Sequence, residues 1–203
     1  KVSVNGTVYE DADVYAFVKN NGGKVAVYKE NLYKPMPGYR FIASNTDRSR
    51  YYVGELNGKS SKQAYMDALH ISESNIINQT FHNPIGKMNG QDICIISLKE
   101  VSGNGLCCYR QVNDSDVLVL LEEQDYNEIL DETLQRIRRD FNHISGVFSI
   151  NCVFRYLLFS QEHHMEDYLK TMSTLGDHAG LIGFGEHYNQ QFVNQTMTCV
   201  VFE

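Results

Sequence analysis

The chain has 203 residues, 42% of them apolar and 21% charged, which excludes a disordered segment and supplies material for a sizeable core. Eighteen Lys and Arg against 25 Asp and Glu leave a formal charge of −7, which argues against a nucleic-acid or anionic-membrane surface, because these need a concentrated positive field. The longest apolar run, Val147 to Phe159, falls short of the roughly 18–20 residues of a membrane span and carries Asn151 and Arg155. In chain order, Val2-Ser3-Val4 and Thr7-Val8-Tyr9 flank Asn5-Gly6, a hairpin signal because type I′ turns need positive φ. Val14 to Val18 and Val25 to Tyr28 alternate around Asn21-Gly22-Gly23 and predict a second hairpin. Tyr39 to Ala43 and Tyr51 to Val53 carry the strand character on to Asn57-Gly58, so residues 1–58 read as all β.

Beyond that point the texture changes. Ser60 with Gln63 forms a capping box ahead of a helical stripe of Ala64, Tyr65, Ala68 and Leu69. A polar stretch through His82-Asn83-Pro84-Ile85-Gly86 predicts a loop, and strands follow at Ile93 to Leu98, Leu106 to Val112 and Val117 to Leu121. Asp125 with Glu128 opens a helix striped by Ile129, Leu130, Leu134, Ile137 and Phe141, with Arg136, Arg138 and Arg139 near its end to complement the dipole. Val147 to Phe159 reads as one buried strand, and Met165 to Leu175 as a helix closed by Gly176. Leu181 to Tyr188 and Thr196 to Phe202 are the last two strands. Strands outnumber helices and many connections are too short for crossovers. The pattern predicts an α+β fold, mostly antiparallel sheet with two or three amphipathic helices packed on it.

Five Cys, at 94, 107, 108, 152 and 199, make an odd count, and most lie in apolar strand-like runs. This fits reduced, buried thiols in a cytoplasmic protein better than a disulfide framework. The chain opens on Lys1-Val2-Ser3-Val4 without an initiator Met or a signal-like stretch, and closes inside a strand. Both ends predict an excised portion of a longer parent.

Chemistry concentrates in two segments. In Ser149-Ile150-Asn151-Cys152-Val153-Phe154-Arg155, strand alternation places Ser149, Asn151 and Arg155 on one face and Cys152 on the apolar other. A guanidinium in so apolar a run needs acceptors: either an internal carboxylate or the carboxylate of a bound small molecule. In Gly180-Leu181-Ile182-Gly183-Phe184-Gly185-Glu186-His187, three glycines suggest bulges, and Glu186 could pair with Arg155 or accept a ligand ammonium. His163-His164 with Glu162 and Glu166 resembles a metal cluster but lacks a third ligand at suitable spacing, so a solvated helix start is the better reading. Cys152 with His187 or His82 could serve a Cys-dependent hydrolase or amidase, although an apolar strand face normally leaves a thiol inert.

Four short motifs in order, His82-x-Pro84-Ile85-Gly86, Asn151-Cys152-x-x-Arg155, Gly183-Phe184-Gly185-Glu186 and Asn194-x-Thr196, resemble the C-terminal domain of FIST proteins. Val53 to Lys59 looks like the start of that module. The resemblance therefore implies the tail of an N-terminal FIST module over residues 1–58 and a FIST C-terminal domain over 59–203. One departure is Ile95-Ile96-Ser97-Leu98, where the family pattern often carries an Arg. The resemblance implies an intracellular sensor of an amino acid or related metabolite, linked covalently to an output domain of bacterial signalling, with no catalysis and no cofactor. A free amino acid needs an Arg for its carboxylate and a carboxylate for its ammonium. Arg155 and Glu186 are the candidates, with Asn151, Asn194, Arg110 and His82 as polar support. Two other classes remain open: the Cys-dependent hydrolase, and an interaction module that binds no small molecule.

Overall fold

The computed structural model describes residues 1–90 and 92–203. Asn5 and Gly6 both take positive φ, 50° and 79°, and join β1 (Val2–Val4) to β2 (Thr7–Tyr9) as a separate two-stranded ribbon. The second predicted hairpin does not form. Residues 14–18 belong to no strand and lie exposed, Phe17 at 93%, while β3 (Val25–Asn31) pairs along one side with the last strand of the chain. Side chains occupy the other side of β3: the Val27 and Lys29 carbonyls accept from the Tyr188 hydroxyl at 3.5 Å and from Arg136 Nη2 at 3.1 Å. A strand laid there would have to displace both donors.

Leu32 alone separates β3 from β4 (Tyr33–Asp47), so the chain passes straight from one sheet into another. There follow β5 (Tyr52–Leu56), β6 (Lys59–Ser60), α1 (Ser61–Leu69), α2 (Ile76–Gln79), β7 (Ile85–Asn89), β8 (Asp92–Ile96), β9 (Leu98–Ser102), β10 (Gly105–Cys108) and β11 (Val117–Glu123). These build an antiparallel sheet in the order β8-β7-β11-β4-β5-β10-β9, with β6 paired to β5. The predicted strand Ile93 to Leu98 is in fact two, β8 and β9, parted by Ser97 and lying at opposite ends of that order. Since one residue joins the two ends, the sheet must curl upon itself. It encloses a core of Phe41, Leu56, Tyr65, Ile96, Leu106 and Leu118. Asn57-Gly58 is the turn between β5 and β6, and strands on both sides of it share this sheet.

The remainder forms the second sheet and its helices: α3 (Tyr126–Asp140), β12 (Gly146–Cys152), α4 (Val153–Gln161), α5 (Met165–Ser173), β13 (Asp177–Gly183), β14 (Glu186–Tyr188), β15 (Gln191–Val193) and β16 (Thr196–Phe202). The caps fall as the sequence requires. Ser60 Oγ accepts from the Gln63 amide at 3.2 Å, and Asp125 Oδ1 accepts from the Asn127 and Glu128 amides at 2.9 and 3.0 Å. The sheet order is β13-β12-β16-β3, antiparallel except for the parallel pair β12–β13. Its inner face, with Tyr28, Val147, Met197 and Val201, packs against Ile137, Leu158, Phe159 and Met172 of the three helices. The fold is α+β, as expected.

The predicted strand Val147 to Phe159 breaks at Cys152, and everything beyond is helix. A continuous apolar run has no period-2 alternation to protect it from the helical alternative. As a helix it buries Arg155, Leu158 and Phe159, spaced i, i+3, i+4, on a single face. Likewise Leu181 to Tyr188 is broken by Phe184-Gly185 into the end of β13 and the start of β14. Among the described residues, no helix is long and apolar enough to cross a membrane.

Candidate functional site

β12 and β13 end side by side at Cys152 and Gly183, and the chain between them, α4 and α5, is the crossover of a β-α-β unit. The carboxyl ends of parallel strands, where a helix N-terminus begins, are the part of such a unit left open to a ligand. Around these ends lie the groups the sequence singled out.

On the inner face, register aligns Glu30 of β3, Met197 of β16 and Asn151 of β12. Arg155, from the first turn of α4, donates through Nη2 to Glu30 Oε1, and both side chains are buried. The guanidinium lies 4.6 Å from the Phe159 ring centroid and 5.5 Å from that of Tyr168. Asn151 Nδ2 donates to the Tyr168 hydroxyl at 2.9 Å, which donates weakly to Ser149 Oγ at 3.4 Å; Ser149 Oγ also meets His178 Nε2 at 2.9 Å. Burial holds the His178 imidazole below its ordinary pKa and so favours its neutral form.

The outer face carries a different set. Glu186 of β14 accepts through Oε2 from the Thr196 hydroxyl at 3.4 Å and stands near Gly183. Burial pushes its carboxyl up to about 7, against the smaller opposing pull of Thr196, the Gly185 amide and Arg155. Thr196 and Cys152 occupy outward positions of β16 and β12, whereas Glu30 and Asn151 occupy inward ones. The sheet end therefore lies between Glu186 and the Arg155–Glu30 pair. The internal partner of Arg155 is Glu30, not Glu186.

The other predicted residues fall as follows. Asn194, buried at the end of β15, lines a cavity of about 150 Å³ with Thr196, Val193, Ile93 and Ile95, bounded by Lys29 and Asp92. One water needs roughly 10–15 Å³, so this space takes several waters or a small metabolite. His82 Nδ1 sits 3.0 Å from Glu123 Oε1, and Arg110 Nη1 donates to the Phe192 carbonyl at 2.7 Å. The structure thus sets Asn151 and Arg155 both against Tyr168, sets Glu186 and Asn194 both beside Thr196, and leaves His82 and Arg110 outside both groups.

What binds these groups into one candidate site is unmet polar demand. Glu30 Oε2, Asn151 Oδ1, Arg155 Nε and Nη1, Glu186 Oε1 and Gln195 Oε1 are buried with no hydrogen-bond partner among the described residues, as is His164 Nε2, which packs on the Phe159 ring rather than at a solvated helix start. Buried polar atoms are nearly always paired, so orphans on both faces of one sheet end mark it as the candidate for receiving a polar group. Glu30, Tyr168 and Gln195 were missed in the sequence. Glu30 was accessible to reasoning, since Tyr28 and Glu30 share the inward face of an alternating strand.

Cys152 caps the start of α4, where the amides of Gln195, Phe154 and Arg155 lower its pKa; burial and Glu186 outweigh them and raise it. The thiol is buried and protonated, unsuited to attack. Glu166 pairs with Lys170 at 2.9 Å on the surface of α5. Among the described residues, no three His, Cys, Asp or Glu side chains gather as a metal ion would need.

Two outcomes are expected. Arg155→Ala leaves Glu30 buried and unpaired and costs about 3–5 kcal/mol in urea unfolding, whereas the double change Glu30→Met with Arg155→Met costs far less. A double variant as unstable as the single one would contradict the pairing. The second concerns pH. Glu186 has a folded pKa raised from 4.5 to about 7, so the folded protein holds the extra proton between those values. Its favourable contribution is full below about 4.5 and is lost as pH rises toward 7. Glu186→Gln should flatten this part of the stability profile, by up to about 2 kcal/mol. An unchanged profile would place the titration elsewhere.

The model of the FIST C domain family matches residues 62–189, more than half of the chain. No curated protein and no solved structure matches it.

Proposed function

The chain belongs to the FIST C domain family, a domain associated with signal-transduction sensing, and from that premise we propose that it binds a free amino acid or a close relative without transforming it. The observation that carries this reading is the set of orphaned polar atoms at the carboxyl ends of β12 and β13. They include two nitrogens of a cation, Arg155, single oxygens of Glu30 and Glu186, and amide oxygens of Asn151 and Gln195. A zwitterion offers the complementary set: a carboxylate for the guanidinium nitrogens and an ammonium for a carboxylate oxygen. The cavity beside Asn194 and Thr196 lies on the Glu186 side of the sheet end; Ile93 and Ile95 give it an apolar wall, and Arg155 and Glu30 do not line it.

Binding then acts on a neighbouring output domain by favouring one conformation of the site over another. The protonated, buried Cys152 supports binding over hydrolysis. Thermal shift against single amino acids, small carboxylic acids and amines tests the proposal. Saturation at about 100 times Kd adds roughly 2.7 kcal/mol, which moves Tm by several degrees. Stabilisation by α-amino acids, reduced in Glu186→Gln while plain carboxylic acids bind as before, is the expected result. No stabilisation by any of them, or rapid alkylation of Cys152 in the folded protein near neutral pH, would contradict it.

A further inference from the structure

Sensing requires an element that moves, and the β14–β15 ribbon is built to be one. Its three residue pairs, Glu186↔Val193, His187↔Phe192 and Tyr188↔Gln191, form a ladder of their own that joins neither larger sheet. Both of its attachments have unusual backbone. On one side Gly185 has φ +129°, and a Cβ there would come within 2.8 Å of the Phe192 ring, so only glycine fits. On the other side Gln195 has φ +53°.

The ribbon's base is buried through Glu186, Val193 and Asn194, all within the candidate site. Polar clasps hold the outer part. Gln191 Oε1 accepts from Lys29 Nζ at 2.8 Å, and Gln191 Nε2 donates to Asp92 Oδ2 at 2.7 Å. Arg110 donates to the Phe192 carbonyl with its guanidinium 5.5 Å from the Phe192 ring centroid, and the Tyr188 hydroxyl donates to the Val27 carbonyl. Lys29 and Val27 belong to the second sheet, Asp92 to the curled sheet, and Arg110 follows β10 of that same sheet. The clasp of Gln191 thus links the two sheets through Lys29 and Asp92, both of which line the cavity.

We propose that the β14–β15 ribbon is a hinged cover of the ligand site, latched across the two sheets by Gln191 and Arg110, whose opening withdraws Glu186 and Asn194 from that site. The inference rests on the ligand-binding reading for what lies beneath the cover, but the motion itself needs no ligand. Exposed and part-buried hydrogen bonds hold the tip, and burial of Glu186, Val193 and Asn194 holds the base, so the ribbon opens without the sheets coming apart. A ligand that bridges to Glu186 holds it shut and draws the two sheets into one state. This gives the output domain a difference to read.

Hydrogen exchange on the full chain tests this. In the free protein, amides of residues 186–193 should exchange faster than those of β12 and β16. Gln191→Ala and Arg110→Ala should each speed that exchange about two- to tenfold, with the urea midpoint little changed. Lys62→Ala, which removes the surface contact with Glu73, should leave the ribbon unaffected. Ribbon amides protected as strongly as β16, or indifferent to both latch variants, would overturn the proposal. An equimolar mixture of the twenty amino acids should slow ribbon exchange in the unaltered protein. If the latch variants act as expected while that mixture has no effect, the cover stands and the choice of ligand is what fails.

Discussion

A single buried charge pair sets the terms for the rest of this protein. Arg155 and Glu30 lie 125 residues apart in the chain and are both removed from water. Burying two ions is costly, and the cost is met only when both stay paired in good surroundings. Here the surroundings are fixed by three elements at once: β3 supplies Glu30, α4 supplies Arg155 and Phe159, and α5 supplies Tyr168 beneath the guanidinium. The pair therefore locks an early strand to a late crossover, and it forces the strand-to-helix turn at Cys152 into one position. Because only Arg155 Nη2 is used, the same constraint leaves a cation with donors to spare at the carboxyl ends of two parallel strands.

The arrangement divides labour between the faces of a sheet. The inner face carries fixed charge and a hydroxyl chain from Asn151 through Tyr168 and Ser149 to His178. The outer face carries Glu186, whose carboxyl is poised between neutral and ionised near pH 7. The first is rigid because it is deep in the core. The second hangs on a narrow ribbon held by polar contacts. A rigid receptor beside a movable carboxylate is a physical basis for converting occupancy into shape, and membership of a sensory family agrees with it.

Much of the fold was legible where local chemistry leaves no choice. Asn5-Gly6 turns as its φ requirement dictates, and Ser60 and Asp125 cap their helices through the contacts the spacing predicts. Legibility failed where a pattern admits two structures. The run from Val147 to Phe159 is apolar throughout, so it does not itself distinguish strand from buried helix; the spacing of Arg155, Leu158 and Phe159 held the answer. The hairpin expected at Val14–Val18 failed for a reason no local pattern contains: Tyr188 and Arg136, distant in sequence, already occupy the edge of β3. The site followed the same rule. Arg155, Asn151 and Glu186 were found as polar residues in apolar runs, but which faces the other depends on sheet register, which sets Glu30 beside Arg155 and Glu186 across the sheet end.

The proposed role of the spare donors of Arg155 is to receive a ligand. It is tested most directly by nitrogen-15 NMR of the Arg155 side chain, assigned with an Arg155→Lys variant, during titration with free amino acids. One group of α-amino acids should move the Arg155 Nε–H resonance downfield and slow its exchange with solvent, as a new charged acceptor would. An Arg155 signal indifferent to every amino acid, or shifts confined to surface arginines such as Arg139, would show that the pair with Glu30 is the whole of its role.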